Sequence, residues 1–190
     1  MLKNPDFVTA RDLLLDRVRP VETEALPLSE CAGRVLAQAL KAAENVPPFD
    51  RSPYDGYAFR SADSAGASQE TPVTLRILEE VPAGAVPTQP CTQGTAVKIL
   101  TGAPIPQGAD AVVPYERTRF TPDQVTLLSP AKPGENIVYA GEDVHKGDVL
   151  AKAGTVIDAG LAGTLAGQGV AAPQVYRVPR VGILSTGDEV

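Results

Sequence analysis

The side chains with the greatest capacity for chemistry fall in a few short polar segments, each beside an apolar run. Ser52-Pro53-Tyr54-Asp55-Gly56-Tyr57-Ala58 sets a carboxylate next to a glycine and between two tyrosines, so Asp55 can act on a ligand that the backbone approaches closely. The same Asp-Gly pair also reads as a simple turn. Thr101-Gly102-Ala103-Pro104-Ile105-Pro106 brings the Thr101 hydroxyl and neighbouring amides to a strand end where an oxyanion can be held, or serves as a proline-stiffened connection. Gly141-Glu142-Asp143 offers adjacent carboxylates suited to Mg²⁺, which takes one or two carboxylates plus waters and substrate phosphates; a solvated hairpin is the alternative for Asp143. Ser185, Thr186, Gly187, Asp188 and Glu189 form a polar turn placed like the carboxyl end of the first strand of an α/β domain, where such folds bind ligands and a helix N-terminus attracts phosphate.

Other chemistries find little support. The 17 Lys and Arg against 23 Asp and Glu leave a net charge of -6 with no basic cluster, so a nucleic-acid backbone would be repelled. The five Tyr, four Phe and absent Trp supply neither a base-stacking platform nor an aromatic membrane belt. No apolar run approaches membrane-spanning length and the N-terminal MLKNPDF lacks a signal-peptide core, so the expectation is no membrane and a cytoplasmic location. Cys31 and Cys91 lie far apart and His145 is the sole histidine; no zinc-ligand spacing exists, and the cysteines are expected to be reduced and structural. His145-Lys146-Gly147-Asp148 is similar to a biotinyl or lipoyl carrier hairpin, but no lysine stands in the carrier context, which leaves an ordinary hairpin.

The elements that must position these residues follow from pattern. Thr9 begins a capping box, with Val8 stapled on Leu13, for a helix from about Ala10 to Val18 that Pro20 ends. Val21 to Leu28 alternates like a strand, Ser29 to Gly33 forms one helical turn, and Val35 to Ala39 reads as another strand. At Asn45 the composition turns to constrained loop, marking a domain boundary. From Tyr57 to about Leu128, YAFR, VTLRILEEV, TAVKIL, DAVV and QVTLL are short runs separated by turns, the pattern of a small barrel or sandwich that the Lys132 to Asn136 turn closes. Ser61 to Thr71 reads as a mobile loop. Asp158 is placed to cap a helix from Ala159 to about Gln168, ended by Gly169 and rich enough in Ala and Gly to pack closely on a neighbour. A last strand is expected at Val181 to Leu184.

In order and spacing, PPFDRSPYDGYAFR, ILTGAPIPQGADAVVPYE, GENIVYAGEDVHKGD and VGILSTGDEV resemble the MoeA and gephyrin E-domain family of molybdopterin molybdotransferases, from about Val8 to Val190. The chain departs from the commonest pattern at Arg51 and Pro53-Tyr54, with Asp55 retained. The resemblance implies an α+β fold: a segmented α/β unit over 1–45 and 140–178, an inserted all-β barrel or sandwich over 46–139, and at 179–190 the first strand of a truncated Rossmann-like, molybdopterin-binding domain. It implies insertion of molybdate into adenylylated molybdopterin with Mg²⁺ and release of AMP, in a homodimer that meets other molybdenum cofactor biosynthesis proteins. Asp55, Thr101, Asp143 and Glu189 are then the catalytic positions, and Ser185, Thr186, Gly187 and Asp188 the cofactor-binding ones. Carboxylates alone cannot hold molybdate, so cationic and N–H groups must come from elsewhere, and this chain by itself is expected to be inactive. The rival reading is a scaffold or protein-binding module, as in gephyrin.

Overall fold

Asp6, rather than Thr9, starts the first helix. The computed structural model describes residues 5–185. In it α1 spans Phe7–Leu15, and the Asp6 carboxylate accepts from the Thr9 amide at 3.0 Å and the Thr9 hydroxyl at 2.7 Å. An aspartate satisfies the free amides of a first turn better than threonine does, which moves the start three residues toward the N-terminus. None of the helix is buried, so the stapling expected of Val8 and Leu13 buries neither side chain, and Phe7, Leu14, Leu15 and Val18 lie exposed.

The chain divides into two units: residues up to Ala43 with those from Val149 onward, and Glu44–Asp148 between them. In the first unit β1 (Thr23–Ala25) is shorter than the alternating run around it, and the helical turn lies at Leu28–Glu30. Val35 and Leu36 make only isolated bridges, to Val156 and Val175, before β2 at Leu40–Lys41.

The second unit supplies β3 (Gly56–Phe59), β4 (Val73–Val81), β5 (Thr95–Ile99), β6 (Ala111–Pro114), β7 (Thr118–Phe120) and β8 (Gln124–Leu127). The first unit then resumes with β9 (Val149–Ala151), which pairs with β2, then α2 (Ala159–Gly167), then β10 (Gln174–Tyr176), which pairs with β1. Cys31, Leu36, Ala151, Ile157 and Val175 form this unit's core. Asp158 caps α2 through the Leu161 amide at 2.8 Å, and Gly169 ends it at φ +73°. Gly163 and Gly167 do not serve close packing: among the described residues a methyl group at either would meet nothing within 4 Å. Val181 to Leu184, read as a strand, is exposed chain without a pairing partner among the described residues; a lone strand has no ladder to satisfy its backbone.

Residues 140–148, expected to return to the first unit, stay with the second because Val144 bridges Val46 and Val138 bridges Arg51. The six strands form one sheet in the order β6-β3-β5-β4-β8-β7, with β4 and β5 parallel and the other pairs antiparallel. It curls so that β7 at one edge approaches the far side of the sheet: the Phe120 ring on β7 lies 6.1 Å from that of Tyr57 on β3 and 6.0 Å from that of Tyr115, which directly follows β6. Tyr57, Phe59, Leu75, Ala96, Val125 and Leu127 fill the concave face, while Ala58, Val97, Ile99 and Val112 pack under loops on the other. Burial on both faces explains why YAFR and TAVKIL lack strict alternation. Ser61 to Thr71 is no loose loop. The Asp110 carboxylate accepts from the Ser61 amide and hydroxyl, Ser64 is fully buried, and Ala67 joins the core.

Gly56 is required by packing. A methyl group there would stand 2.1 Å from the Val113 carbonyl oxygen, a backbone atom that cannot yield. At Gly102 a methyl group would meet nothing, and only its φ of +85° opposes a side chain. Gly56→Ala should therefore cost about 3 kcal/mol, the upper part of the overpacking range, and Gly102→Ala about 1 to 2 kcal/mol. Urea unfolding of the two variants checks the order; equal costs would mean that β6 can move away from β3 freely.

Candidate functional site

Asp55 and Thr101 are brought together by the register of β3 and β5. Gly56 stands opposite Ile99, so the residue before β3 and the turn after β5 emerge at one end of the sheet. There the Thr101 amide and hydroxyl both donate to Asp55 Oδ1, each at 2.7 Å. The hydroxyl first, and then the amide, hold the Asp55 carboxyl below its usual range. The oxyanion held at this strand end is thus the protein's own carboxylate. Among the described residues Asp55 Oδ2 has no such donor, and the residue is exposed.

The Thr101 turn is pinned by Ser52, a residue that sequence reasoning passed over. Ser52 accepts at its carbonyl from the Gly102 amide (2.8 Å), donates its own amide to the Ala103 carbonyl (3.1 Å), and is 0% exposed. Its hydroxyl donates to the Tyr54 carbonyl at 2.6 Å and accepts from the Tyr54 amide at 3.2 Å, a local serine turn. The available signal was a serine followed by proline, three residues before the aspartate. Tyr115 was also missed. Its amide donates to the Asp55 carbonyl at 3.2 Å and its ring packs 5.1 Å from that of Tyr57. Burial, then the charges of its neighbours, push its hydroxyl far up, so it keeps its proton.

Asp143 lies elsewhere on the same unit, exposed, with its amide bonded to the Val46 carbonyl at 2.9 Å. Glu142 beside it closes its own turn by accepting from the Tyr139 amide at 3.1 Å. Ser185 is exposed, while Thr186, Gly187, Asp188 and Glu189 fall outside the described residues. Among the described residues no three or more His, Cys, Asp or Glu side chains gather to hold a metal ion. Cys31 and Cys91 are free and buried; burial pushes the Cys91 thiol up to about 11.

A small α+β architecture with a curled sheet, carrying a donor-held carboxylate at one sheet end, is the setting in which likeness to known proteins becomes informative. Residues 6–169 match the family described as the MoeA N-terminal region, domains I and II, and the chain belongs to that family. It is 43% identical over 173 residues to a molybdopterin molybdenumtransferase of Bacillus subtilis, covering 89% of this chain and 40% of that protein. The Staphylococcus aureus enzyme of the same name is 40% identical over 163 residues, covering 86% and 39%. A crystal structure of the molybdopterin biosynthesis moeA protein from Pyrococcus horikoshii superposes with a TM-score of 0.82 at 40% identity, covering 89% of this chain and 45% of that one. Another crystal structure, of a molybdopterin biosynthesis moea protein from the same organism, gives 0.88 at 32% identity, covering 93% and 45%. The chain thus spans about two fifths of the length of the curated relatives it matches.

Replacing the hydroxyl by Thr101→Val should raise the Asp55 pKa part of the way to its ordinary value, since the Thr101 amide still donates. The lowered pKa contributes stability above the unfolded-state pKa, and this is lost as pH falls through the folded one. The variant's stability deficit should therefore be largest at neutral pH and shrink on acidification. Carboxyl-carbon NMR titration and melts from pH 7 to pH 2 check this; a deficit independent of pH would remove Asp55 as its cause.

Proposed function

We propose that this chain contributes one wall of the site at which the whole protein inserts molybdate into adenylylated molybdopterin and releases AMP. The observation that carries the reading is the ionised, doubly anchored Asp55 carboxylate at the open end of the sheet. It is supported by relatives whose names are those of molybdopterin molybdenumtransferases. The Glu44–Asp148 unit acts as the inserted barrel-like module, and 179–190 begins the Rossmann-like domain that completes the cleft.

A fixed carboxylate with one oxygen unengaged can orient water or a metal ion against a phosphoanhydride without reorganising. The Asp55 carboxylate, bonded through Oδ1, would suit a Mg²⁺ that arrives with substrate phosphates, because such an ion needs only one or two carboxylates from the protein. Asp55 would be its ligand here, with Asp143 and Glu189 as the further acidic positions. When bound, Mg²⁺ neutralises charge on the phosphates. Thr101 acts through Asp55, keeping its carboxylate charged and aimed; with both donors so engaged it is a positioning residue. Molybdate, an anion, is held by cationic and amide groups outside this acidic end. Ser185 to Asp188 belong to the phosphate-bearing side of the cleft.

The protein works as a homodimer; the uncovered apolar face of α1 supports this reading. Its free, buried cysteines suit a reducing, cytoplasmic compartment. No helix of the described residues is long and apolar enough to cross a membrane.

In the full-length parent, Asp55→Asn should lower molybdate-dependent AMP release by about 100-fold or more, while the melting temperature falls no further than it does in Thr101→Val, because both variants weaken the same exposed pair of hydrogen bonds to a charged acceptor. Single-turnover AMP release beside a thermal melt decides. Near-normal release with a sharply lowered melt would assign Asp55 to structure.

A further inference from the structure

The open end of the sheet holds a cavity that the Asp55 chemistry does not use. One rung inward from Gly56 and Ile99, Tyr57 stands opposite Lys98. The register of β4 against β5 shifts between Ile77 and Glu80, so that Glu80 rather than Glu79 comes beside Lys98. The 121–123 turn between β7 and β8 reaches the same end, since Gln124 pairs with Arg76. These segments enclose about 530 Å³, with Tyr57, Ile77, Leu78, Lys98, Phe120 and Asp123 among the lining. That volume lies within the range of small-molecule sites. The Phe120 ring is 58% exposed at the rim, an apolar surface left uncovered.

The charges select the occupant. Glu79 is consumed by the Thr88 amide and hydroxyl and the Gln89 amide. Glu80 pairs with Lys98 at 3.0 Å. The Asp123 carboxylate has no hydrogen bond or ion pair among the described residues. With one lysine among Glu79, Glu80 and Asp123, the cavity disfavours phosphate or molybdate. It favours a flat, uncharged heterocycle that presents N–H donors to a carboxylate.

We propose that this cavity seats the pterin ring of the substrate, stacked on Phe120, with Asp123 accepting from its amino-pyrimidinone edge and Lys98 donating to its ring carbonyl. The proposal rests on the molybdopterin reading above. A pterin carries adjacent N–H donors on that edge, in the geometry a carboxylate accepts in pairs, and a carbonyl beside them. The phosphate-bearing end then points out of the acidic cavity toward the rim at Asp55, which lies two residues from Tyr57.

The test uses this 190-residue chain and 6-hydroxymethylpterin, followed by NMR. Pterin should shift the Phe120, Lys98 and Tyr57 resonances. Lumazine, with an oxo group in place of the 2-amino group, should bind about tenfold more weakly, as should Phe120→Ala and Asp123→Asn for pterin. Both residues are exposed, and thermal melts of the variants confirm that they stay folded. Unshifted cavity resonances at millimolar pterin, equal affinity for lumazine, or wild-type affinity in both variants would overturn the assignment. The two readings fail separately. A parent that needs Asp55 for AMP release while its pocket ignores pterin loses only this assignment. A parent that releases no AMP loses the functional reading, while pterin binding is still read directly on the chain.

Discussion

The close approach of β6 to β3 at Gly56 sets the position of everything at that end of the sheet. With no side chain in the way, β3 bonds to β5 on one edge and to β6 on the other while both its faces are buried. Its first residue therefore has one place to be. Asp55 stands just outside that fixed strand, where its carbonyl is held by Tyr115 and its carboxylate by Thr101. A carboxylate in a solvated loop would spend much of its time elsewhere; this one inherits the rigidity of a buried strand and still faces solvent.

The charges near that end divide into two kinds. Asp55 is kept ionised by donors that lie within the protein, so its charge survives to acid pH without a cationic partner. Lys98 and Glu80 instead neutralise each other, and with both side chains partly exposed their bond adds little stability. Its effect is geometric. It holds the Lys98 ammonium within 5.7 Å of the Tyr115 ring centre, which keeps a positive group beside aromatic rings and short of the Asp55 rim. The same sheet end thus offers a reactive anion at its edge and, behind it, a cavity of mixed aromatic, aliphatic and acidic lining.

How much of this was legible in the sequence depends on which interactions carried the signal. The runs that became β3, β4, β5, β6 and β8 were visible because apolar residues bounded by turns announce strands locally. β7 was not, since Thr118–Phe120 is short and its Phe120 is exposed. Asp55 and Thr101 were picked out separately, yet their hydrogen bonds depend on a strand register 46 residues apart in sequence, which no local pattern encodes. The role of Gly56 was misread for the same reason: it admits a neighbouring strand, not a ligand. Ser61 to Thr71 looked mobile because its serines are polar, but the Ser61 and Ser64 hydroxyls are satisfied inside the fold by Asp110, Ser61 and Ala131, and that of Ser68 closes a local turn with Glu70 and Thr71. Polar composition marks a loop only when its partners are water.

The separated motifs are joined by one stretch of backbone, residues 46–55. Val46 pairs with Val144 and accepts from the Asp143 amide, so the two ends of the inserted unit are bonded to each other and Asp143 sits at that junction. Arg51 then exchanges amide and carbonyl with Val138 and bridges Pro104. Ser52 clamps Gly102 and Ala103, and Asp55 takes both donors of Thr101. A segment that bonds in turn to three distant loops cannot shift at one without disturbing the others. This explains why it contains proline at positions 47, 48 and 53: prolines reduce the freedom of the chain before it folds and surrender few amide donors where carbonyls do much of the bonding. The spatial relation between the Asp143 junction and the Asp55 carboxylate is therefore a property of this segment, and variation in its sequence, as at Arg51 or Pro53-Tyr54, acts on both positions at once.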